Sequence, residues 1–151
     1  MKKVVLISDS HGNKKGIEKL LNEKKFDLLL FAGDGLKDVE KVNKNIVKVA
    51  GNCDLFSQEA QEEVVSIEGL NILLTHGHLY KAKYTLLGLV NEANKRNCKI
   101  VCFGHTHQKT QENLDGLLLL NAGAFKNGNA LYITIDGGDI INLEFFNVNE
   151  G

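Results

Sequence analysis

Residues 100–107, Ile-Val-Cys-Phe-Gly-His-Thr-His, guide how we interpret the rest of the sequence. The apolar run 100–103 is typical of a buried strand, so His105 and His107 would emerge where that strand ends. Open α/β folds place their sites at the C-terminal ends of strands, and imidazole nitrogen is a good ligand for divalent transition metals. In an extended chain, residues two apart point the same way. We therefore expect both histidines to reach one site, with Thr106 turned away from it.

The first half of the sequence alternates apolar runs with helical patterns. Runs typical of buried strands occur at residues 3–8, 28–32 and 46–50. Apolar spacing predicts a helix capped by Asn13 and ending near Lys25, and a shorter helix near 37–44. Each strand leads into a glycine- or serine-bearing loop that contains an aspartate, and these are Asp9, Asp34 and Asp54. Because such loops meet at one edge of a sheet, we expect the three carboxylates to cluster.

The second half of the sequence is richer in strands. It begins with a hairpin, whose strands 63–68 and 71–75 are split by Gly69, and continues with a helix near 86–97. The segment Thr75-His76-Gly77-His78 follows the second hairpin strand. Residues 121–124 are predicted to form only a structural turn. The remaining segments predict only strands, which are 99–103, 108–114, 117–121, 130–136 and 139–146.

The composition of the chain limits the classes of protein to which it can belong. The 151 residues are 43% hydrophobic and 25% charged, which predicts one globular domain over 1–151. A net charge of −1 gives no sign of a nucleic-acid-binding patch or of binding to anionic membranes. The apolar run after Met1-Lys2-Lys3 is too short for a signal-peptide core, and the three cysteines lack metal-type spacing. We therefore expect a cytoplasmic protein.

The histidines and acids of the chain are not scattered over polar segments. All five histidines follow apolar runs, and so do four residues with side-chain oxygens: Asp9, Asp34, Asn52 and Asp54. This nitrogen and oxygen donor set suits Mn²⁺, Fe²⁺, Zn²⁺, Co²⁺ or Ni²⁺, and it argues against a structural cysteine–zinc site. There are more donors than one ion needs. Two ions about 3.5–4 Å apart that share a carboxylate would use them all.

The order and spacing of these motifs resemble a known family. The pattern Asp9-x-His11, Gly33-Asp34, Gly51-Asn52-x-Asp54, His76-Gly77 and Gly104-His105-x-His107 resembles the calcineurin-like metallophosphoesterases, and in particular their small bacterial and archaeal phosphodiesterase branch. The resemblance implies an α/β (α+β) fold, a four-layer sandwich of two mixed β-sheets flanked by α-helices. It also implies two divalent ions per chain, most readily Mn²⁺.

The same resemblance implies which residues bind metal. Asp9, His11, Asp34 and His107 would bind the first ion. Asp34 would bridge the two ions, and Asn52, His76 and His105 would complete the second site. A hydroxide bridging the ions would then attack the phosphorus of a small-molecule phosphodiester in line.

Three further residues lie next to the predicted ligands in the sequence or in the same loops. Asp54 is better suited to orienting a ligand than to binding metal. His78 is either a solvated loop histidine, which we favour slightly, or a contact to the substrate phosphate. Cys53 stands where many members of the wider family have a histidine that acts on the leaving group, and a thiol is a poorer and differently tuned acid. We count as candidate catalytic residues Asp34, Asn52, Cys53, Asp54, His76 and His78.

Two alternatives to a phosphodiesterase remain. The same site could hydrolyse phosphomonoesters or nucleotides. Alternatively the chain could be a non-catalytic scaffold, since a eukaryotic retromer subunit resembles this fold, although the full ligand set including His105 counts against that. We also expect a homo-oligomer, most simply a dimer, because the strand-rich second half must end in an edge strand.

Overall fold

Ten strands and two α-helices form within residues 1–42 and 45–150, which are the residues that the computed structural model describes. The helices are α1 (Lys14–Glu23) and α2 (Leu87–Lys95). The strands are β1 (Lys2–Ile7), β2 (Leu28–Phe31), β3 (Ile46–Lys48), β4 (Glu62–Ile67), β5 (Leu70–Thr75), β6 (Ile100–Cys102), β7 (Thr110–Leu114), β8 (Leu117–Asn121), β9 (Asn129–Asp136) and β10 (Asp139–Asn147). None of the helices in this part of the chain is long and apolar enough to cross a membrane.

The strands form two five-stranded mixed sheets. The first has the order β10-β9-β1-β2-β3, in which β1, β2 and β3 are parallel and β9 and β10 are antiparallel to their neighbours. The second has the order β4-β5-β6-β8-β7, with a parallel centre of β5, β6 and β8. Central strands of this kind are covered on both faces. This is why residues 4–7 of β1 and 72–75 of β5 are uninterrupted buried runs.

The two sheets pack face to face, and each carries one helix on its outer face. The core between the sheets joins side chains of β1 and β2, such as Leu6 and Leu30, to those of β5 and β8, such as Leu74 and Leu120. Separate apolar clusters pack α1 against the first sheet and α2 against the second. The layers are therefore helix, sheet, sheet and helix. The four-layer sandwich of two mixed sheets is confirmed.

Several predicted boundaries need correction. The helix predicted near 37–44 is a short 3-10 turn, Leu36–Val39, and residues 43 and 44 lie outside the described part of the chain. The strand predicted over 46–50 ends at Lys48, because the chain then turns to close a loop. The Ala50 N–H donates to Ala60 O at 2.9 Å, which fixes the base of that loop. The Asn13 cap is confirmed, since its Oδ1 accepts the Gly16 N–H at 2.9 Å.

Loops from the two sheets meet at one edge of the sandwich. The Asp9 N–H donates to Gly33 O at 2.8 Å, which joins the loops after β1 and β2. The Gly104 N–H donates to His76 O at 3.1 Å, which joins the loops after β5 and β6. The polar segments that follow the parallel strands are therefore brought together, as the topology requires.

Candidate metal centre

Asp9 lies at the centre of this edge and is fully buried. Its Oδ2 accepts hydrogen bonds from Ser8 Oγ at 2.6 Å and from the His105 N–H at 3.0 Å. Its Oδ1 is also buried but has no hydrogen-bond partner within residues 1–42 and 45–150. A buried carboxylate oxygen without a partner is costly unless a cation neutralises it. The loop therefore fixes one oxygen of Asp9 and leaves the other free to bind metal.

Asp34 is held in the same way by the loop after β3. Its Oδ1 accepts the Cys53 N–H at 2.8 Å, and its Oδ2 lies 3.1 Å from His76 Nε2 and 3.9 Å from His11 Nε2. Burial raises the pKa of Asp34, but the His76 ring and the Cys53 N–H together outweigh burial and lower that pKa below its ordinary value. Asp34 is consequently ionised at neutral pH, as a metal ligand must be.

The backbone determines the tautomer of His76. Its Nδ1 lies 2.8 Å from Ala32 O, and because a carbonyl oxygen only accepts, Nδ1 carries the proton. The lone pair is then on Nε2, which is buried and forms no hydrogen bond despite its closeness to Asp34 Oδ2. A cation bound between Nε2 and Asp34 Oδ2 would take the place of a proton on Nε2, so that both atoms could be ligands of one ion.

The buried acids and three histidines form two overlapping groups with metal-ligand spacing. One consists of Asp9, His11 and His107, and the other of Asp9, Asp34 and His76, with the ligand atoms of each group within 4.8 Å of one another. The free Oδ1 of Asp9 is 3.2 Å from His107 Nε2 and 3.8 Å from His76 Nε2. Asp9 thus belongs to both groups, whereas the resemblance gave the bridging role to Asp34.

His105 and His78 extend the second group. The His105 ring centroid is 5.0 Å from that of His76, and the His78 centroid is 5.5 Å from it. Burial, then the charges of His76 and Lys83, lower the pKa of His105 to about 4. Burial and the charge of His76 also lower the pKa of His78. Both rings are therefore neutral at pH 7 and able to donate a lone pair.

The structure favours the second of the two roles considered for His78, a side chain that faces the site. The residue begins a 3-10 turn, His78–Tyr80, that follows Gly77 with φ 103°, and this turn folds the ring back toward His76. The ring is half-buried, and its Nδ1 is shielded from solvent without a hydrogen-bond partner. His78 therefore faces the metal centre.

His105 and His107 reach the site by a different route from the one predicted. The expectation of an extended chain is wrong, because both residues have left-handed backbone conformations, with φ 68° and 62°. His105 turns toward His76, and His107 turns toward His11, with ring centroids 5.5 Å apart. The same left-handed conformation recurs at three other residues of the site, Asp9, His11 and Asp34. Each such residue costs of order 1–3 kcal/mol, and the strain collects at the site.

The three residues of the 52–54 segment have different surroundings. Asn52 is exposed, and its Nδ2 contacts Cys53 Sγ at 3.7 Å rather than hydrogen bonding to Asp34 or His76. Cys53 is exposed too, and its pKa is raised, first by partial burial and then by the charge of Asp34, so the thiol is protonated at neutral pH. Asp54 accepts four backbone N–H groups, which belong to Asp34, Gly35, Leu36 and Gly51. Asp54 therefore fastens the two loops together, which agrees with the orienting role predicted for it.

One residue of the site was missed. Asn121 was assigned only to a turn, but its buried Nδ2 donates to Gly104 O at 3.0 Å and to Thr106 Oγ1 at 3.1 Å. It therefore holds the turn that carries His105 and His107. A polar amide at the buried end of an apolar strand was the signal available in the sequence. Gly104 is needed for a related reason, since a Cβ there would lie 2.6 Å from Asp9 Oδ2.

The donors and their surroundings fit divalent transition-metal ions. Carboxylate and imidazole groups converge, with Cys53 turned aside to Asn52. Two buried atoms, Asp9 Oδ1 and His76 Nε2, have no hydrogen-bond partner, and a cation would satisfy both.

Comparison with known proteins assigns the family. Residues 1–134 match the calcineurin-like phosphoesterase superfamily domain. The chain belongs to this superfamily. This calcineurin-like chain is 33% identical over 126 residues to a protein of Bacillus subtilis named as a probable metallophosphoesterase, covering 82% of this chain and 75% of the relative. It is 27% identical over 143 residues to a phosphodiesterase of Methanocaldococcus jannaschii, covering 80% and 82%. The protein is thus a metal-dependent phosphoesterase.

Solved structures agree on the fold of this calcineurin-like chain. A predicted phosphoesterase from Streptococcus pneumoniae superposes with a TM-score of 0.84 at 22% identity, covering 98% of this chain and 90% of that one. Zinc-bound Vps29 from Entamoeba histolytica superposes with a TM-score of 0.76 at 18% identity, covering 97% and 99%. At these identities the likeness extends to the fold alone.

Proposed function

We propose that the protein hydrolyses small-molecule phosphodiesters with two divalent ions, most readily Mn²⁺. The observation that carries this proposal is the free Oδ1 of Asp9, which is buried, has no hydrogen-bond partner and belongs to both ligand groups. A single ion would leave one group unused. The relative named as a phosphodiesterase supports the choice of diesters.

The residues of the site would have distinct roles. His11 and His107 would hold one ion with Asp9, and His76, His105 and Asn52 would complete the second site. Asp34 lies near histidines of both sets, His76 and His11. The ions, when bound, supply an acidified water and neutralise charge on the phosphoryl oxygens. Ala32 O and Asp54 orient His76 and the Asp34 loop without touching substrate.

Two further residues, Cys53 and His78, can act on the substrate. The Cys53 N–H donates to Asp34 Oδ1, which places this residue next to the metal centre, and its thiol is protonated at neutral pH. The thiol can therefore offer a proton to the leaving oxygen, although weakly. The half-buried His78 is neutral and can donate a hydrogen bond to a non-bridging phosphoryl oxygen. A site with a weak acid favours esters whose alcohol departs readily without a proton, so activated aryl diesters should be better substrates than alkyl diesters.

The test combines metal analysis with hydrolysis. Protein loaded with excess Mn²⁺ should retain about two ions per chain, and should cleave bis(4-nitrophenyl) phosphate faster than 4-nitrophenyl phosphate. Chelation should abolish both activities. A stoichiometry that stays at one ion with full activity contradicts the dinuclear proposal. A preference for the monoester favours the alternative hydrolase, and Mn²⁺ binding without turnover of either ester favours the scaffold alternative.

A further inference from the structure

A cleft of 810 Å³ opens directly beside the metal centre. His11, Asp34 and Cys53 line one part of it, and Leu55 and Phe56 line another. Its volume is within the range of sites that hold drug-sized ligands, about 300–1,000 Å³. Because Cys53 is the residue placed to act on the leaving group, this cleft is where the departing alcohol would lie.

Leu55 and Phe56 are unusual in being consecutive, apolar and exposed. Their exposed fractions are 74% and 101%. Phe56 also has φ 62°, which is a strained conformation for a bulky residue. The preceding residue, Asp54, is anchored to backbone N–H groups of the metal-binding loops. The backbone of this segment is therefore held next to the site, and none of the residues that the structure describes covers the two side chains.

The charges of the cleft are unevenly balanced. Lys48 is 3.8 Å from Glu59, and Asp38 accepts hydrogen bonds from Ser10 Oγ and the Gly12 N–H. Lys14 and Lys37 also line the cleft, and neither has an acidic partner within 4.0 Å among residues 1–42 and 45–150. Glu40 opposes them at the rim. Two further acids line the cleft, but Asp34 faces the histidines of the metal centre and Asp54 accepts backbone N–H groups. The cleft thus offers apolar surface beside two lysines, Lys14 and Lys37, that can meet an anion locally.

We propose that Leu55 and Phe56 form an apolar shelf that determines substrate specificity. The shelf binds the aromatic part of the ester's leaving alcohol, and Lys14 and Lys37 favour an anionic group on that part. The inference rests on the proposed function in two respects, namely that the phosphoryl group binds at the metal centre and that Cys53 acts on the leaving oxygen.

Binding of small phosphonates tests the shelf without relying on turnover. Phenylphosphonate and methylphosphonate share the anionic group, but only the first carries a ring. Calorimetry on the Mn²⁺-loaded protein should show about tenfold tighter binding of phenylphosphonate, since burying a ring of this size is worth roughly 1.4 kcal/mol or more. Phe56→Ala and Leu55→Ala should each reduce this preference and leave methylphosphonate binding unchanged. Leu87→Ala is the matched control, because Leu87 is 63% exposed on α2 and does not line the cleft.

A second pair of probes tests the lysines. Adding a para-carboxylate to phenylphosphonate should tighten binding by about two- to fivefold, the range expected of an exposed ion pair. Lys14→Ala and Lys37→Ala should each remove part of that gain. Lys15→Ala and Lys41→Ala should not, because both lysines are exposed neighbours that lie outside the cleft.

The outcomes separate this inference from the proposed function. Equal binding of the two simple phosphonates, or a preference that survives Phe56→Ala and Leu55→Ala, overturns the shelf. A carboxylate that gives no gain overturns the role of the lysines. An intact ring preference in a protein that hydrolyses no phosphodiester overturns the proposed function and leaves the shelf standing. If neither phosphonate binds, the result overturns both the shelf and the proposed function.

Discussion

Asp9 and Asp34 show how a single residue can be prepared for metal by its hydrogen bonds. In each carboxylate one oxygen accepts a backbone N–H from a distant loop, from His105 to Asp9 and from Cys53 to Asp34. The other oxygen then faces the histidines. Fixing one oxygen orients the other, so that little ordering is left to occur when an ion binds.

The closeness of Asp34 to two histidines leads to a ranked pair of substitutions. Asp34→Asn removes a charge next to both His76 and His11, whereas Asn52→Ala removes an exposed amide that contacts Cys53. We expect Asp34→Asn to lower kcat by about 10²–10³-fold, as for other electrostatic groups at reacting centres, and Asn52→Ala to lower it less. Steady-state kinetics would measure this, with thermal unfolding as a check that both variants fold. The reverse order would show that the ligand assignment is wrong.

The Cys53 thiol leads to a prediction about leaving groups. If it protonates the departing oxygen poorly, rates should fall steeply as the alcohol becomes less acidic, because general acid help is typically worth about 10²–10⁴-fold. Diesters of acidic aryl alcohols should therefore be cleaved far faster than alkyl diesters by the unmodified protein. Cys53→His should narrow that gap. Equal rates for aryl and alkyl esters, with chemistry rate-limiting, would mean that another acid such as His78 already acts.

At the scale of elements, strand ends and the hydrogen bonds between loops build the site. β8 ends at Asn121, and that side chain supports the turn after β6 by donating to Gly104 O and Thr106 Oγ1. The two strands are parallel neighbours, so their C-terminal ends are adjacent. One strand of the sheet thus positions the metal-binding turn of the next.

Removing this support should weaken metal binding without removing a ligand. Asn121→Ala removes the side-chain donor to Gly104 O and to Thr106 Oγ1, and leaves the turn only the Thr106 N–H bond to Gly104 O. We expect Mn²⁺ affinity to fall by about 10–100-fold, as for other residues that orient ligands. Calorimetric titration would measure it. Asn113→Ala, an exposed asparagine on β7, is the control. An Asn121→Ala variant that folds and binds Mn²⁺ as tightly as the unmodified protein would contradict the positioning role.

At the scale of the whole molecule, folding and metal binding should depend on pH in opposite ways. Burial lowers the pKa of His76, but Asp34 and Asp9 raise it above its ordinary value overall, so the metal-free protein gains stability from the protonated ring. That contribution is present below about pH 6.5 and is lost as pH rises through the folded-state pKa. A bound ion needs the neutral ring instead.

The increase in Tm on adding Mn²⁺ should therefore grow between pH 5.5 and pH 8. The metal-free protein should lose some stability over the same interval. Thermal unfolding in paired samples, with and without Mn²⁺, would measure both trends. An increase in Tm that is the same at every pH, or larger at low pH, would show that His76 does not lose a proton on metal binding.

The edges of the two sheets bear on assembly. Each sheet ends in strands that pair with a neighbour on one side only. The longest of these edge strands is β10, and its residue Ile141 is 54% exposed. Edge strands favour pairing with another chain. We expect light scattering to show a homodimer. Ile141→Lys should dissociate the dimer if β10 forms the interface, and Val64→Lys tests β4, an edge strand of the second sheet. A monomer at every working concentration would refute the prediction.

The sequence determined the order of the elements and the set of candidate ligands. Strand and helix periods are local, so the apolar run of β1 and the helical spacing after Asn13 predicted elements that the structure contains. Donor chemistry is also local, because a carboxylate or an imidazole is a ligand wherever it lies. The spacing of the histidine and aspartate motifs could therefore identify the superfamily before any geometry was known.

Only the tertiary structure decided which atom of each ligand is free, which residues support the ligands, and what lies beside them. His105 and His107 diverge because their backbones are left-handed, and His105 is held by Asp9, 96 residues away. The cleft beside Phe56 likewise depends on how the loops after β1, β2 and β3 meet. These features arise from contacts between segments far apart in the chain. No local period or residue type encodes them, and so they emerge only when the two sheets pack together.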